Sequence, residues 1–298
     1  MRIGFVGLGQ MGRPIAHNLL KHGNDLIVSS RSDRLFGEFR ERGARCTGDV
    51  TDLAEAELVF LCLPDTKTVQ AVLAEDQLGG RLKAGRMVVD LSTIGYGATV
   101  AIADALKARG ISFLDAPISG MEARAVEGTL TVMCGGTIEA FDRARPTLEQ
   151  IGSKILHMGP AGSGQLTKLV NQLLFDINAA AIAEILPMAV KMGLDPDLVG
   201  EVVNSGTGRS HASEFFIPRI LRGHFSDGYP LAHAYKDLVS AAELGAARTI
   251  PMPVLAAATA TYQTALLQGH GAEDKGAMVR VFEDLLGVAY RSRRTDDQ

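Results

Sequence analysis

Lys168 stands near the start of an apolar stretch and is followed at helical spacing by two amide side chains. In the segment GSGQLTKLVNQ (162–172), Asn171 and Gln172 lie three and four residues after the lysine, so one face of a helix would carry all three. Burying an ammonium group beside apolar residues costs several kcal/mol unless the group is paired or used. A desolvated lysine can protonate a developing alkoxide or deprotonate an alcohol. The alternative is a polar stripe that faces solvent.

A second segment carries groups that could bind a carboxylate. DAPISGMEARAVEGTLTVMCGG (115–136) places Ser119 and Gly120 just after a predicted strand. A hydroxyl and exposed main-chain N–H groups at the carboxyl end of a parallel sheet are suited to an anion, and folds of this kind bind ligands at that edge. The two segments together favour a site for a small carboxylate over a solvated helix face.

A glycine turn, GLGQMG (7–12), directly follows one predicted strand and precedes a helix. In this context G-x-G-x-x-G is typical of dinucleotide binding: the glycines allow a tight turn, close approach of pyrophosphate, and packing of the helix against the strand. The pyrophosphate would lie on N–H groups at the helix start. The alternative is a tight turn without a ligand. The predicted pyrophosphate-binding residues are Gly7, Gly9, Gln10, Met11 and Gly12.

The end of the second predicted strand bears on the choice of dinucleotide. NAD-binding proteins carry an acid there that binds the ribose hydroxyls. Here the strand runs into Ser30, Arg31 and Ser32. Asp33 falls past the strand end, where it or Ser32 would cap the next helix. A guanidinium flanked by hydroxyls suits a 2′-phosphate, so the sequence predicts a preference for NADP(H), with NAD(H) as the alternative.

The elements that must position these residues change character along the chain. Up to about residue 160, short apolar runs alternate with amphipathic stretches that end in glycine, which predicts an α/β fold with a Rossmann-type doubly wound parallel sheet. The predicted strands are 2–7, 25–30, 58–63, 86–91, 112–116, 129–135 and 154–159.

After residue 164 the pattern is helical throughout. One long helix from Gln165 to Met192, with Pro187 as its expected kink, would join the two parts of the chain. Because 298 residues lie near the upper limit for one hydrophobic core, two domains are expected: residues 1–161 as an NADP-binding Rossmann-like domain and residues 162–298 as an all-helical substrate and oligomerisation domain. The further predicted helices are 195–205, 212–222, 231–247, 251–268 and 273–291.

Composition excludes several classes of partner. The net charge is −4 and the basic residues are scattered, which argues against nucleic acid and against an anionic membrane surface. The uncharged run 250–272 is long enough to cross a bilayer, but its prolines and polar residues favour a packing helix. The first residues enter a strand at once and leave no room for a signal peptide. Disorder is expected only in the tail, 291–298.

Cysteine and histidine patterns indicate neither disulfides nor a metal site. The three cysteines have no C-x-x-C spacing and are expected to be buried reduced thiols in a cytoplasmic protein. None of the seven histidines has ligand spacing such as H-x-x-x-H, so no metal is expected. His233 and Arg209 are further candidates for contact with substrate; packing and surface ion pairing are the alternatives.

Four segments, in order, resemble the signature motifs of the β-hydroxyacid dehydrogenase family, which includes 3-hydroxyisobutyrate dehydrogenases and tartronate semialdehyde reductases. They are GLGQMGRPIAHNLLKHG, DAPISGMEARAVEGTLTVMCGG, GSGQLTKLVNQ and YKDL (235–238), and together they extend over nearly the whole chain. The resemblance implies hydride transfer between NADP(H) and a small 3-hydroxy carboxylate or its semialdehyde, with no metal required.

The resemblance also implies roles for individual residues. Lys168 would be the general acid or base, and Asn171 and Gln172 would anchor the substrate oxygens. Ser119, Gly120 and Met121 would bind the substrate carboxylate, although Met121 replaces a glycine of the frequent S-G-G pattern and Gln172 replaces an asparagine. Lys236 and Asp237 would close the site beside the nicotinamide. The remaining coenzyme contacts would come from Leu63, Pro64 and Thr93.

Two other functions remain open at this stage. Imine reductases resemble the family but usually lack the lysine found here at position 168, and a sensor could bind NADPH without catalysis. The motifs do not choose among hydroxyisobutyrate, glycerate, threonate and hydroxybutyrate as substrate, since these differ by single groups. The long apolar helices predict a homodimer or homotetramer.

Overall fold

The computed structural model describes residues 1–294 and divides the chain into two compact units, Met1–Lys168 and Leu169–Gln298. The division falls inside a long helix, whereas the sequence placed the domain boundary just before it, at 161/162. The last four residues of the predicted disordered tail lie outside the described residues.

The first unit is built on one sheet, and all seven predicted strands occur in it. The strands are β1 Arg2–Val6, β2 Asp25–Ser29, β3 Arg45–Thr47, β4 Leu58–Leu61, β5 Met87–Asp90, β6 Ser112–Asp115, β7 Ile118–Ser119, β8 Leu130–Gly135 and β9 Gly152–Gly159. Their order in the sheet is β3-β2-β1-β4-β5-β6-β8-β7, with β9 paired to β8. Two of them that were not predicted, β3 and β7, are too short for an alternating pattern to show in the sequence.

Strands β1 to β6 pair in parallel, as expected of a doubly wound sheet. The sheet is not parallel throughout, because β8 runs antiparallel to both β6 and β7. Side chains of one strand enter two different cores: Met87 and Val89 pack in one cluster and Val88 packs in the other. Both faces of the sheet are therefore covered by helices. The helices of this unit are α1 Gly12–Lys21, α2 Phe36–Glu41, α3 Thr66–Val72, α4 Leu78–Arg81, α5 Tyr96–Ala108, α6 Met121–Glu127 and α7 Ile138–Leu148.

The second unit is helical within the described residues. Its helices are α8 Ser163–Lys191, whose first turns belong to the first unit, α9 Pro196–Ser205, α10 His211–Leu221, α11 Leu231–Ala247, α12 Pro253–Leu267 and α13 Val279–Leu286. Helix α8 is long and apolar enough to cross a membrane by length and composition alone, with a hydropathy of 1.7. Ala179, Ala183 and Leu186 of this helix lie in the core of the second unit, as expected for a central packing helix.

The end of the chain differs from the sequence prediction. Helix α13 is shorter than the predicted 273–291, because Asp274 caps a 3-10 turn, Lys275–Met278, and Gly287 ends the helix with a φ of 63°. Residues 291–294 are held by contacts rather than disordered: Arg291 pairs with Glu283, and the Ser292 hydroxyl donates to an Asp197 carboxylate oxygen at 2.8 Å. The prediction of disorder was wrong for these residues.

The core of the second unit contains an ion pair between Lys275 and Asp176. The side chains are 1% and 0% exposed, respectively. The Lys275 ammonium also lies 4.1 Å from the centroid of the Phe175 ring, and the Tyr262 hydroxyl donates to the main-chain carbonyl of Asp176 at 3.2 Å. These contacts fasten the 3-10 turn at Lys275 to helix α8.

We expect Lys275→Ala to lower the free energy of unfolding by about 3–5 kcal/mol, because it leaves a buried carboxylate without its cation. Replacing both partners, as Asp176→Leu with Lys275→Met, should recover most of that loss, since apolar side chains of similar volume need no charge compensation. Urea unfolding followed by circular dichroism measures both effects. Lys107→Ala, at an exposed position on α5, is the matched control. A Lys275→Ala variant as stable as this control would contradict the prediction.

Candidate active site

The three glycines of the turn between β1 and α1 occupy positions with different steric requirements. Gly7 has a φ of +101°, and a Cβ there would lie 2.3 Å from the carbonyl oxygen of Cys62. A Cβ on Gly12 would lie 1.9 Å from the carbonyl oxygen of Gly7, so only glycine allows the helix to start here. A Cβ on Gly9 would meet no atom within 4 Å. The turn therefore has open space at Gly9, where a pyrophosphate could approach the backbone.

The chain after β2 exposes a guanidinium and hydroxyls. Arg31 and Ser32 are exposed and Ser30 is half-buried. The Ser32 hydroxyl accepts the Arg34 N–H at 3.3 Å and caps the 3-10 turn that begins at Asp33. Asp33 thus belongs to a helical turn and not to the strand end, as its position in the sequence indicated.

The carboxyl ends of β4 and β5 are fastened to each other through Ser92. Its hydroxyl accepts the Leu63 N–H at 2.9 Å, and its own N–H donates to an Asp90 carboxylate oxygen at 2.9 Å. Leu63, Pro64 and Thr93, the other predicted coenzyme contacts of this unit, follow these strand ends. Pro64 and Thr93 are exposed there.

The first turn of α8 is held by a buried carboxylate at the end of β6. The two oxygens of Asp115 accept the Gly162 N–H at 2.7 Å and the Gln165 N–H at 2.9 Å. Gly135 and Gly164 leave room for this carboxylate, since a Cβ on either would lie within 2.8 Å of one of its oxygens. Burial raises the pKa of Asp115, and the main-chain hydrogen bonds oppose that rise.

Gln165 adds a second attachment of α8 to the sheet. Its side-chain N–H group donates to the Ser92 carbonyl at 2.8 Å, and its side-chain oxygen accepts the Ile94 N–H at 3.1 Å. Gln165 is only 3% exposed, so both bonds are shielded from water. Lys168 follows three residues later on the same helix and is half-buried. These bonds therefore fix the main chain of α8 just before Lys168 relative to the ends of β5 and β6.

The predicted carboxylate-binding turn has an unusual backbone. Ser119 pairs with Thr131 across β7 and β8. Gly120 has a φ of 142°, and Met121 follows with a φ of 59°, in the left-handed region that side-chain-bearing residues rarely occupy. Such conformations persist only where the surroundings hold them, and they concentrate at functional sites. Met121 is 47% exposed, so its side chain is available to a ligand.

The predicted site residues are divided between the two units. The first unit contains the glycine turn, the ends of β2, β4 and β5, the Ser119–Met121 turn and Lys168. The second unit contains Asn171, which is exposed, and Gln172, which is half-buried, on α8. It also contains Lys236, exposed, and Asp237, half-buried, on α11.

The two weaker candidates of the second unit lie at the surface. Arg209 forms an ion pair with Glu214 at 2.6 Å, and both side chains are exposed. This is the surface ion pairing that was the alternative to contact with substrate. The exposed ring of His233 lies 5.4 Å from that of Tyr229. Among residues 1–294 there is no group of three or more His, Cys, Asp or Glu side chains that could hold a metal ion.

Sequence reasoning missed Asp115, Gln165 and Asp90. Asp115 carried a signal, since it ends a predicted strand in the D-A-P of the second segment, but its role depends on N–H groups of α8. Asp90 is fully buried, and desolvation raises its pKa to about 7 with a smaller contribution from the charge of Asp115. Of the three free cysteines, Cys134 is buried as predicted, whereas Cys46 and Cys62 are half-buried. Burial raises the pKa of the Cys62 and Cys134 thiols to about 12, which makes them unreactive.

A doubly wound sheet with an open glycine turn after β1 is typical of dinucleotide-binding proteins, and here a helical unit follows it. The family model for the NAD binding domain of 6-phosphogluconate dehydrogenase matches residues 2–159. The model for the NAD-binding domain of NADP-dependent 3-hydroxyisobutyrate dehydrogenase matches residues 162–282. The chain belongs to the β-hydroxyacid dehydrogenase family.

Individual relatives match over almost their whole length. The chain is 35% identical to 2-(hydroxymethyl)glutarate dehydrogenase of Eubacterium barkeri, over 97% of each protein. It is 33% identical to 2-hydroxy-3-oxopropionate reductase of Escherichia coli K12, over 95% of this chain and 97% of the relative. The crystal structure of 3-hydroxyisobutyrate dehydrogenase from Salmonella typhimurium superposes with a TM-score of 0.85 at 27% identity, covering 95% of this chain and 100% of that one.

Imine reductases are more distant. A structure from Pseudomonas sp. has a TM-score of 0.59 at 18% identity and covers 94% of this chain and 98% of that one, which shows a shared fold alone. The prediction that this chain is an oxidoreductase of the 3-hydroxyacid dehydrogenase type, using a pyridine nucleotide, is confirmed.

The pKa of Asp90 predicts how stability depends on pH. Its folded value of about 7 lies above the value of ~3.9 for an unfolded chain, so the folded protein retains a proton that the unfolded chain releases. The stabilising contribution of neutral Asp90 is complete below pH ~4 and is lost as the pH rises through about 7. We therefore expect the stability of Asp90→Asn relative to wild type to increase between pH 5 and pH 8.

Melting temperatures measured in steps across that range test this expectation. Asp104→Asn, at an exposed position on α5, is the control and should differ from wild type by a constant amount. If the difference between Asp90→Asn and wild type is equally constant, Asp90 ionises normally and the expectation is wrong.

Proposed function

We propose that this protein is an NADP(H)-dependent 3-hydroxyacid dehydrogenase that also works in reverse as a semialdehyde reductase, with Lys168 as the general acid and base. The supporting observation is the attachment of the first turn of α8. Asp115 and Gln165 attach that turn to the ends of β6 and β5, at the edge of the sheet where the coenzyme would bind. The position of Lys168 on the helix is therefore fixed relative to that edge.

In this proposal each polar residue has one task in the reaction. The bound pyridine nucleotide supplies or accepts the hydride. Lys168 donates a proton to the carbonyl oxygen of the semialdehyde as negative charge develops there, and removes it from the alcohol in the other direction. The Ser119 hydroxyl and the Gly120 N–H bind the substrate carboxylate. Asn171 and Gln172 anchor the substrate oxygens.

The second unit supplies further groups. Lys236 and Asp237 of the YKDL segment would complete the site beside the nicotinamide. The substrate is a small 3-hydroxy carboxylate, consistent with relatives named for hydroxymethylglutarate and hydroxyoxopropionate. Met121 would bring an apolar side chain to the carboxylate-binding turn and so help to select among these acids.

NADP(H) is the proposed coenzyme. An exposed Arg31 between the hydroxyls of Ser30 and Ser32 offers charge-assisted hydrogen bonds to a 2′-phosphate. Asp33, the one acid nearby, begins a 3-10 turn past the strand end. The family model that matches the second part of the chain is named for an NADP-dependent enzyme.

The remaining proposals concern assembly and location. Helix α8 exposes large apolar side chains along much of its length, and a second copy could cover them in a homodimer or homotetramer. These side chains are Val170, Leu174, Ile185 and Met188, and Met192 is exposed directly after the helix. Three free cysteines are compatible with a cytoplasmic protein.

Lys168→Ala should lower kcat by about 10²–10⁴-fold, because the proton donor is lost. Lys168→Arg should be nearly as slow, since a guanidinium keeps the charge but does not release its proton. The NADPH dissociation constant should stay close to that of wild type in both. Initial rates of NADPH oxidation with a panel of C3 to C6 semialdehydes, together with fluorescence titration of NADPH, measure these quantities.

Lys154→Ala, on the exposed side of β9, is the matched control and should turn over as fast as wild type. Wild-type turnover by Lys168→Ala would contradict the assigned role. An enzyme that reduces cyclic imines but no semialdehyde would favour the imine reductase alternative, and NADPH binding without any turnover would favour a sensor.

Arg31→Ala tests the choice of coenzyme. Losing charge-assisted hydrogen bonds worth about 1.5–3 kcal/mol should raise KM for NADPH by roughly 10–100-fold and leave KM for NADH nearly unchanged. Steady-state kinetics with each coenzyme measures the ratio, and Arg42→Ala, at an exposed position after α2, is the control. Equal kcat/KM for NADH and NADPH in the wild-type protein would show that the preference is wrong.

A further inference from the structure

The glycine turn and the carboxylate-binding turn are joined by a hydrogen bond between two side chains. The side-chain N–H group of Gln10 donates to a carboxylate oxygen of Glu122 at 2.8 Å. Gln10 lies between Gly9 and Gly12, and Glu122 follows Met121 in the first turn of α6. The bond therefore runs from the turn that would bind pyrophosphate to the turn that would bind the substrate.

A second contact fastens the other end of α6 to α1. The side-chain N–H group of Asn18 donates to the Ala125 carbonyl at 2.7 Å. Gly128 ends α6 in the left-handed region, with a φ of 71°. Helix α6 is thus held to α1 near its last turn by Asn18, and to the glycine turn at its first turn by the Gln10–Glu122 bond.

The turn before Glu122 needs such support because its backbone is strained. Met121 has a φ of 59° and Gly120 a φ of 142°. A Cβ on Gly120 would lie 2.9 Å from Cβ of Arg124, whose guanidinium bonds to the Thr129 carbonyl. Strained turns keep their shape only when several contacts agree, so losing one contact changes the population of the shape.

We propose that Glu122 is a positioning residue that, through Gln10, makes the shape of the Ser119–Met121 turn depend on coenzyme binding. This rests on the proposed function, because it assigns the two turns to coenzyme and substrate. When coenzyme orders the glycine turn, it also orders Gln10, which bonds to Glu122. Ordering Glu122 and the Ser119–Met121 turn for substrate then costs less conformational entropy. Substrate binding is strengthened as a result, and by reciprocity substrate tightens coenzyme binding by the same factor.

A binding experiment measures the coupling without turnover. NADPH and 3-hydroxy acids are both reduced and cannot react with each other, so the NADPH dissociation constant can be titrated by fluorescence with and without saturating 3-hydroxyisobutyrate, 3-hydroxybutyrate or glycerate. In wild type at least one acid should tighten NADPH binding by about three- to tenfold, the size expected of one hydrogen bond. In Glu122→Ala and Gln10→Ala the factor should fall to about one.

Two further variants separate coupling from a general structural effect. Glu122→Gln keeps an acceptor oxygen and should retain the wild-type factor, and the double variant Gln10→Ala/Glu122→Ala should match either single variant. Glu127→Ala, exposed at the end of α6, is the control and should behave as wild type. A wild-type factor in Glu122→Ala, or single effects that add in the double variant, would overturn the proposal.

Amide hydrogen exchange provides a second measurement that needs only NADPH. Adding NADPH should slow exchange in residues 118–128 by at least about threefold in wild type and Glu122→Gln, but not in Glu122→Ala or Gln10→Ala. Equal slowing in all four proteins would overturn the coupling. Slowing in wild type without turnover on any hydroxy acid would contradict the proposed function and still support the coupling. Failure of wild type to bind NADPH or NADH would contradict both.

Discussion

The carboxylate of Asp115 fixes the element that carries the proposed catalytic lysine. It is fully buried at the end of β6, and its oxygens accept N–H groups from Gly162 and Gln165 in and before the first turn of α8. A buried carboxylate is costly, and the net rise of its pKa shows that desolvation outweighs the hydrogen bonds it receives. Through these two hydrogen bonds the carboxylate orients the helix that continues to Lys168.

The same attachment extends to the coenzyme-binding edge of the sheet. Gln165 bonds to the main chain at Ser92 and Ile94, and the Ser92 hydroxyl bonds to the Leu63 N–H. A short series of hydrogen bonds thus connects the start of α8 to the ends of β5 and β4. Because every member is at least partly shielded from water, a shift of α8 would strand polar groups on the sheet. This explains how a side chain on a helix can be held in register with a ligand on the sheet.

Much of the fold follows from local patterns. The strands, the glycine turn and the long helix are encoded by short-range periodicity and by glycine placement, and all of them occur. The short strands β3 and β7 are not predictable, because two or three residues show no alternation. The end of the last helix was misplaced because the cap at Asp274 and the left-handed Gly287 outweighed the apolar period that continues past them.

Site residues could be predicted from the sequence where a short motif contains the reactive groups. They could not be predicted where the hydrogen-bond partners are far apart in the sequence. Residue type and spacing were enough to predict Lys168 and Ser119 as site residues, and both stay predictions. Asp115 and Gln165 were missed because their partners lie 47 to 73 residues away and are main-chain groups, which leave no trace in side-chain identity. The pair of Lys275 and Asp176, 99 residues apart, was missed for the same reason of sequence separation.

The kcat of Gln165→Ala tests most directly whether attachment to the sheet orients the lysine. With NADPH and the best semialdehyde, kcat should fall by at least about tenfold, because a small displacement of a catalytic group is costly. The NADPH dissociation constant should remain near that of wild type and unfolding should remain cooperative. Gln70→Ala, exposed on α3, is the matched control. A Gln165→Ala protein with wild-type kcat would contradict the account.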